Sequence, residues 1–241
     1  MEPEAYEELH RLEARHWWYR GMRGIVDGLI RREVSRGRSD LLILDAGCGA
    51  GGNLDALSAF GRTVGFDYST LALGDTNRVR VAKLVRASVE AVPYASNTFD
   101  LVTSFDVIYA AEVGDDQSAL REFARVTRPG GYVLVRVPAL RALRGPHDDV
   151  VHGVRRYTAP EMSARLEQAG LRVCCLTYAN SLLLPLIFSL RKVQDAAVAL
   201  GAVRHSDTNE TAEPANTLLA GVLGLEARWI GSGHRFPLGV S

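Results

Sequence analysis

Residues 41–54, LLILDAGCGAGGNL, constrain the chain most: an apolar run, an acidic residue, then glycines at positions 47, 49, 51 and 52. Leu41 to Leu44 is apolar without alternation, the pattern of a strand buried on both faces. The glycines permit a tight turn in which the backbone approaches a ligand closely. A helix starting after such a turn presents unpaired N–H groups and a positive dipole end, where a polar or anionic ligand group can lie.

Composition narrows what such a chain can do. With 241 residues and 47% hydrophobic content, one sizeable core can be buried, which argues for a single domain spanning 1–241. Lys plus Arg and Asp plus Glu are balanced at 28 each, so no global field draws the chain to nucleic acid. Three cysteines, Cys48, Cys174 and Cys175, make no disulfide framework and fit a reducing, cytoplasmic compartment. The charged N-terminus, MEPEAYEELHRLEARHWWYR, lacks the apolar core of a signal peptide. The longest apolar segment, Ser181 to Leu190, is too short to span a bilayer and contains Pro185.

Along the chain, near-helical spacing of apolar residues from Glu4 to Arg36 predicts two leading helices broken near Gly21. A short helix over Asn53 to Phe60 and a second strand over Thr63 to Phe66, ending in Asp67, follow the glycine turn. An acid at that strand end can accept both hydroxyls of a ribose, and Tyr68 is placed to lie against an adenine face. Further strands are expected at Lys83 to Ala87 and Phe99 to Phe105, then a helix from Asp115 or Asp116 to Val126 and a strand in YVLVRV after the turn at Thr127–Tyr132. Thr158 to Glu161 reads as a capping box opening a helix that ends near Gly170, with a sixth strand over Leu171 to Thr177. Strands alternating with helices predict an α/β fold, a doubly wound parallel sheet with its ligand at the carboxyl edge near Phe105 and Asp106.

Two cofactors fit the glycine turn. Gly47, Gly49 and Gly52 satisfy the G-x-G-x-x-G spacing of dinucleotide binding, with Asp67 at ribose distance, so an NAD-dependent oxidoreductase stays open. The tighter spacing of Asp45, Gly47, Gly49 and Gly51, with Asp67, Phe99-Asp100 and the Arg-Pro-Gly-Gly turn, resembles the class I S-adenosylmethionine-dependent methyltransferases over Leu41 to Thr177. That resemblance implies a Rossmann-like, mostly parallel sheet of seven strands and S-adenosylmethionine as methyl donor, with S-adenosylhomocysteine as product. It also implies that Ser88, standing where the family usually has Asp, and the Val89 N–H hold the adenine edge. Just beyond Phe105, where many relatives carry an acid or a histidine, stand Tyr109 and Ala110, with Tyr109 a candidate wall of the transfer region.

The rest divides between anchoring and recognition. The aromatic cluster HWWYRGMR is either a packing anchor or part of an N-terminal helical lid (1–40), in which Tyr19 faces the sulfonium side and Arg20 or Arg23 pairs with the methionine carboxylate. The polar stretch Pro138 to Tyr157 gathers His147, Asp148, His152, Arg155, Arg156 and Tyr157 and resembles a bacterial subgroup of small methyltransferases. His147 or His152 is a candidate base oriented by Asp148, with Arg155, Arg156 and Tyr157 gripping the acceptor. Its spacing does not suit a helical zinc motif, and no metal is expected. After the core (41–177), residues 178–241 hold two apolar stretches around a polar linker, a helical insertion before a short last strand over Arg235 to Ser241. These stretches can cover a lipophilic acceptor, pack a monomer or homodimer, or rest on a membrane surface.

The expected activity is methyl transfer to an oxygen, nitrogen or carbon nucleophile of a small molecule such as a specialised metabolite, sugar or lipid-linked acceptor. A non-methylating reaction such as cyclisation is the alternative.

Overall fold

The computed structural model describes residues 15–70, 84–145, 148, 152–199 and 211–241, with side chains of 194–199 excepted. Five strands form one sheet: β1 (Leu41–Ala46), β2 (Gly61–Asp67), β3 (Leu84–Arg86), β4 (Phe99–Phe105) and β5 (Thr127–Arg136). Their order is β3-β2-β1-β4-β5 and every pairing is parallel. Strand order reverses between β1 and β4, so a crevice opens beyond their carboxyl ends at Asp45, Ala46 and Phe105. Both strands read as continuous apolar runs because both faces are covered: Ile43, Leu44, Leu101 and Val102 are fully buried.

The helices are α1 (Trp17–Leu29, continued by a π-helical segment, Ile30–Ser35), α2 (Leu54–Leu57), α3 (Asp116–Val126), α4 (Ala159–Gln168), α5 (Leu184–Ala199) and α6 (Glu213–Gly231). Asp115 caps α3 by accepting the Gln117 N–H. At α4, Thr158 and Glu161 exchange side-chain to backbone bonds as the capping box expected from sequence. Between Phe99 paired with Thr127 and Leu101 paired with Tyr132 the register jumps, so Arg128-Pro-Gly-Gly loops out before β5 resumes.

Two expectations fail. Gly21 does not break α1; it lies inside it. A Cβ there would meet the Leu223 side chain at 2.3 Å, and one at Gly28 would meet the Gly231 backbone at 3.2 Å. Glycine is used for contact: α1 and α6 pack against each other through these bare backbones, and Asn216 on α6 accepts the Trp17 N–H at 2.7 Å.

Among the described residues the sheet has five strands where seven were implied. Residues 171–178 and 235–241 form no ladder, although Leu171, Val173 and Cys175 alternate half-buried with exposed Arg172 and Cys174. Their backbone groups are used in isolated bonds instead. Tyr178 donates to Phe236, Ala179 to Ser241, and Ala139, just past β5, donates to Val240 at 2.8 Å. The C-terminal segment is thus pinned to Tyr178 and Ala179 and, just past β5, to Ala139, and alternation alone supplies no strand without a continuous edge to pair with. No helix among the described residues is long and apolar enough to cross a membrane.

Candidate active site

The glycine turn is held by β2. Gly47 and Cys48 both donate to the Phe66 carbonyl, at 2.9 and 3.0 Å, and Gly51 donates to Cys48. Asp67, at the end of β2, accepts the Gly49 N–H at 2.8 Å on one carboxylate oxygen and the Ser69 N–H at 2.9 Å on the other. The turn's left-handed backbone, with φ of 79° at Gly47 and 54° at Gly49, explains why glycine stands there. A Cβ on Gly47 would strike Val107 at 2.5 Å, whereas one on Gly49 would meet nothing within 4 Å. The backbone at Gly49 therefore borders open space.

Asp45, at the end of β1, is 1% exposed. One of its oxygens accepts the Thr103 hydroxyl at 2.8 Å; the other is buried with no hydrogen-bond partner among the described residues. Burial drives its pKa up from 3.8 to about 6, against the Thr103 bond and the positive charge of Arg136, with Asp67 adding to the rise. A buried carboxylate oxygen without a donor is costly, and it calls for a cationic or N–H donor beside the glycine turn.

Ser88 accepts the Glu90 N–H on its hydroxyl, and Val89 is buried. Tyr68 is exposed, with the Arg86 guanidinium 5.7 Å from its ring centre. Phe105 is buried at the end of β4, followed by Asp106 in a left-handed conformation (φ 56°).

Sequence reasoning missed Arg136. Its guanidinium pairs with Asp106 at 2.6 Å and lies 5.0 Å from the ring centres of both Trp18 and Phe105. A lone charge at the carboxyl end of the apolar strand YVLVRV was the available signal. Trp18 in turn meets Tyr19 edge to face at 4.9 Å, and Arg23 reaches the Gly52 carbonyl at 3.5 Å. The start of α1 thus lies against the sheet's carboxyl edge and touches the glycine turn. Tyr109 is buried, and burial with nearby Asp106, Asp148 and Tyr19 pushes its hydroxyl pKa far up, so it stays protonated.

His147 lies outside the described residues. Of the other loop residues, the structure brings His152, Arg155, Arg156 and Tyr157 together as a strap across residues 108–116. The His152 ring is exposed and its Nδ1 is 3.0 Å from Glu112. Arg155 donates to the carbonyls of Val113 and Gly114, at 2.9 and 3.0 Å. Arg156 and Asp148 form a buried two-pronged ion pair at 2.8 and 3.0 Å, so Asp148 orients an arginine where a histidine was expected. Burial opposes Asp148's charge, but Arg156 and the Gly145 N–H outweigh it and hold the carboxyl below its usual range. The Tyr157 hydroxyl donates to Asp116 at 2.7 Å in the interior.

Residues 44–135 match the family model described as a methyltransferase domain. The "Probable S-adenosylmethionine-dependent methyltransferase Rv3030" of Mycobacterium tuberculosis is 26% identical over 163 residues, covering 66% of this chain and 57% of that protein. The chain thus spans little over half the length of that relative. A crystal structure of a methyltransferase from Aquifex aeolicus superposes with a TM-score of 0.55 at 21% identity, over 74% of this chain and 93% of that one. The [4+2]-cyclase SpnF superposes with a TM-score of 0.56 at 19% identity, over 87% of this chain and 76% of that one. At these identities the structural likeness is one of fold. The family match ends at Val135, one residue before Arg136, and includes neither Trp18 nor the strap.

Proposed function

We propose that this chain, whose residues 44–135 match a methyltransferase-domain family model, is a class I S-adenosylmethionine-dependent methyltransferase that transfers a methyl group to an oxygen, nitrogen or carbon nucleophile of a small molecule. The observation that carries this reading is a buried Asp45 oxygen to which no described residue donates, at the end of the strand leading into the glycine turn, where the Gly49 backbone borders open space. A methionine ammonium group is the kind of donor that oxygen lacks, and the glycine backbone leaves room for it. When bound, S-adenosylmethionine supplies an electrophilic methyl on a positively charged sulfur.

In this reading Asp45 and the turn at Gly47 and Gly49 hold the amino-acid end, with Arg23 and Tyr19 approaching from α1. Asp67 takes the ribose hydroxyls: its two oxygens each accept one N–H and keep lone pairs for more. Ser88 and the Val89 N–H meet the adenine edge, Tyr68 its face, and Phe105 walls the crevice. Rate arises chiefly from alignment of nucleophile and methyl in a site from which Trp18, Tyr19 and Phe105 keep water. Tyr109, protonated and buried, serves as a wall or hydrogen-bond donor and not as a base. Among the described residues His152 is the base candidate, because Glu112 engages Nδ1 and leaves Nε2 to take a proton.

A second reading, cyclisation on the same cofactor-binding fold, draws on the fold likeness to SpnF and on Tyr109 and Ala110 at the position where many relatives carry an acid or histidine. Incubation with S-adenosylmethionine and panels of hydroxylated, amino and enol acceptors, followed by mass spectrometry, separates the two. Methyl transfer predicts S-adenosylhomocysteine formed in step with a methylated acceptor. A rearranged product of unchanged mass, with the cofactor intact, would favour cyclisation. If His152→Ala retains full turnover at every pH, His152 is not the base.

A further inference from the structure

Both C-terminal helices carry large apolar side chains on their solvent side. A helix lying on a water-exposed body normally turns such residues inward and its polar ones outward. On α5, Leu184 and Phe188 close an apolar cavity of about 270 Å³ against Leu140, Leu143 and Leu238. Arg191 lies on the same side of the helix, its guanidinium carbon 3.8 Å from where a Cβ on Gly145 would stand. The opposite side holds Leu186, Leu190 and Val193 at i, i+4 and i+7, each half or more exposed, with Leu182 in line one turn earlier.

On α6 the same inversion recurs. Asn216, Leu223, Glu226 and Ile230 are buried, while Leu218, Leu225 and Trp229 form one stripe, 69%, 59% and 49% exposed. The two helices are joined where their stripes meet: Glu226, next to Leu225, accepts the Ser181 and Leu182 N–H groups at 2.9 and 3.1 Å. Protein interfaces carry about one hydrogen bond per 100–200 Å², and these stripes offer few groups to make them. Ser189, bordering the α5 stripe, gives its hydroxyl to the Pro185 carbonyl, and Ser232, beyond Trp229, gives its own to the Trp229 carbonyl, both at 2.8 Å. The acyl region of a bilayer asks for no such bonds. The charge at the Trp229 end is basic: Arg228 and Arg235 are exposed, Arg235 donates to the neutral Cys174 carbonyl, and neither guanidinium meets a carboxylate among the described residues. Tryptophan settles at the head-group level of a bilayer, and guanidinium pairs with phosphate.

We infer that α5 and α6 dock this face on an anionic lipid bilayer, the leucines, Val193 and Trp229 entering the boundary of the acyl region while Arg228 and Arg235 meet lipid phosphates. The contact is peripheral, because no helix among the described residues is long and apolar enough to cross a membrane. It goes beyond the methyl-transfer reading and does not depend on it.

Flotation of the full chain with vesicles tests it, using a mixture of phosphatidylglycerol and phosphatidylcholine in one arm and phosphatidylcholine alone in the other. Binding to the mixed vesicles is expected, about tenfold tighter than to the neutral ones. Brominated acyl chains should quench part of the tryptophan fluorescence, and Trp229→Phe should remove that part. The pairs Leu186→Ser with Leu190→Ser and, separately, Leu218→Ser with Leu225→Ser should each weaken binding at least about tenfold. Arg228→Gln with Arg235→Gln should abolish the preference for phosphatidylglycerol. All six side chains are exposed, and an unchanged melting temperature verifies that the variants fold. The arginine pair leaves both stripes intact, so it tests the docking even where a serine pair lowers stability. Failure to float with mixed vesicles, equal affinity for neutral ones, or binding indifferent to either serine pair overturns the inference. So does a dimer in sedimentation equilibrium that Leu186→Ser with Leu190→Ser dissociates, which would make this face an interface between two copies.

Discussion

The Arg136 guanidinium lies 5.0 Å from the centre of the Trp18 ring, fastening the start of α1 to the carboxyl end of β5. Asp106 holds the same guanidinium at 2.6 Å, and its charge is felt by Asp45. One cation therefore couples the N-terminal helix, the switch point of the sheet and the carboxylate that awaits a donor. Cation–aromatic contacts of this kind are worth about 0.5–2 kcal/mol each.

Arg136→Gln removes the ion pair and both ring contacts while keeping a polar, though shorter, side chain. It is expected to weaken S-adenosylhomocysteine binding roughly tenfold by calorimetry and to raise acrylamide quenching of tryptophan fluorescence as Trp18 loosens. Trp18→Phe, which retains an aromatic face, should cost less than Arg136→Gln in the same titration.

Gly47 and Gly49 should respond differently to alanine. At Gly47 the new methyl collides with Val107 and the backbone is left-handed, so unfolding stability should drop by about 2–3 kcal/mol. At Gly49 there is open space, so only the conformational cost remains, about 1 kcal/mol. Yet Gly49→Ala fills the space assigned to the cofactor, so it should lose S-adenosylhomocysteine binding with little loss of melting temperature. Equal behaviour of the two variants would contradict the cradle.

Asp45 gives the site a pH signature. Its folded pKa, about 6, is above the unfolded 3.8, so between these values the folded state holds more protons. This group's contribution therefore makes stability fall as pH rises from about 4 to 6, leaving a cost on the order of 2–3 kcal/mol at neutral pH. Asp45→Asn should melt higher than wild type at pH 8, with the gain shrinking toward pH 4. Cofactor affinity should run the other way: the ionised carboxylate attracts an ammonium group, so wild-type binding weakens below about pH 6 and Asp45→Asn loses both the affinity and its pH dependence.

The strap separates support from chemistry. Arg156→Met leaves Asp148 buried without its partner and should cost about 3–5 kcal/mol in chemical denaturation. Tyr157→Phe strips a bond from buried Asp116 and should cost about 2 kcal/mol. If either variant lost turnover at full stability, the residue would act on substrate directly.

What could be read from the residues alone was the part set by local chemistry. The unalternating Leu41–Leu44 run, the glycines and Asp67 announced β1, the turn and the end of β2, and Thr158 with Glu161 announced the start of α4. Contacts between distant segments were not legible. Gly21 reads as a breaker until Leu223 is known to press on it. Leu171 to Thr177 alternates like a strand but has no continuous edge to join. Arg156 and Tyr157 have the side chains of a ligand clamp, and only burial reveals that they grip Asp148 and Asp116. Arg136 needed the sheet register to bring it beside Asp106 and Trp18.

The most direct measurement is calorimetric titration of the purified chain at pH 7.5 with S-adenosylhomocysteine and, separately, with NADH. The account predicts one-to-one micromolar binding of S-adenosylhomocysteine that Asp45→Asn abolishes, and no binding of NADH. Binding of NADH alone, or S-adenosylhomocysteine binding that ignores Asp45→Asn, would contradict it.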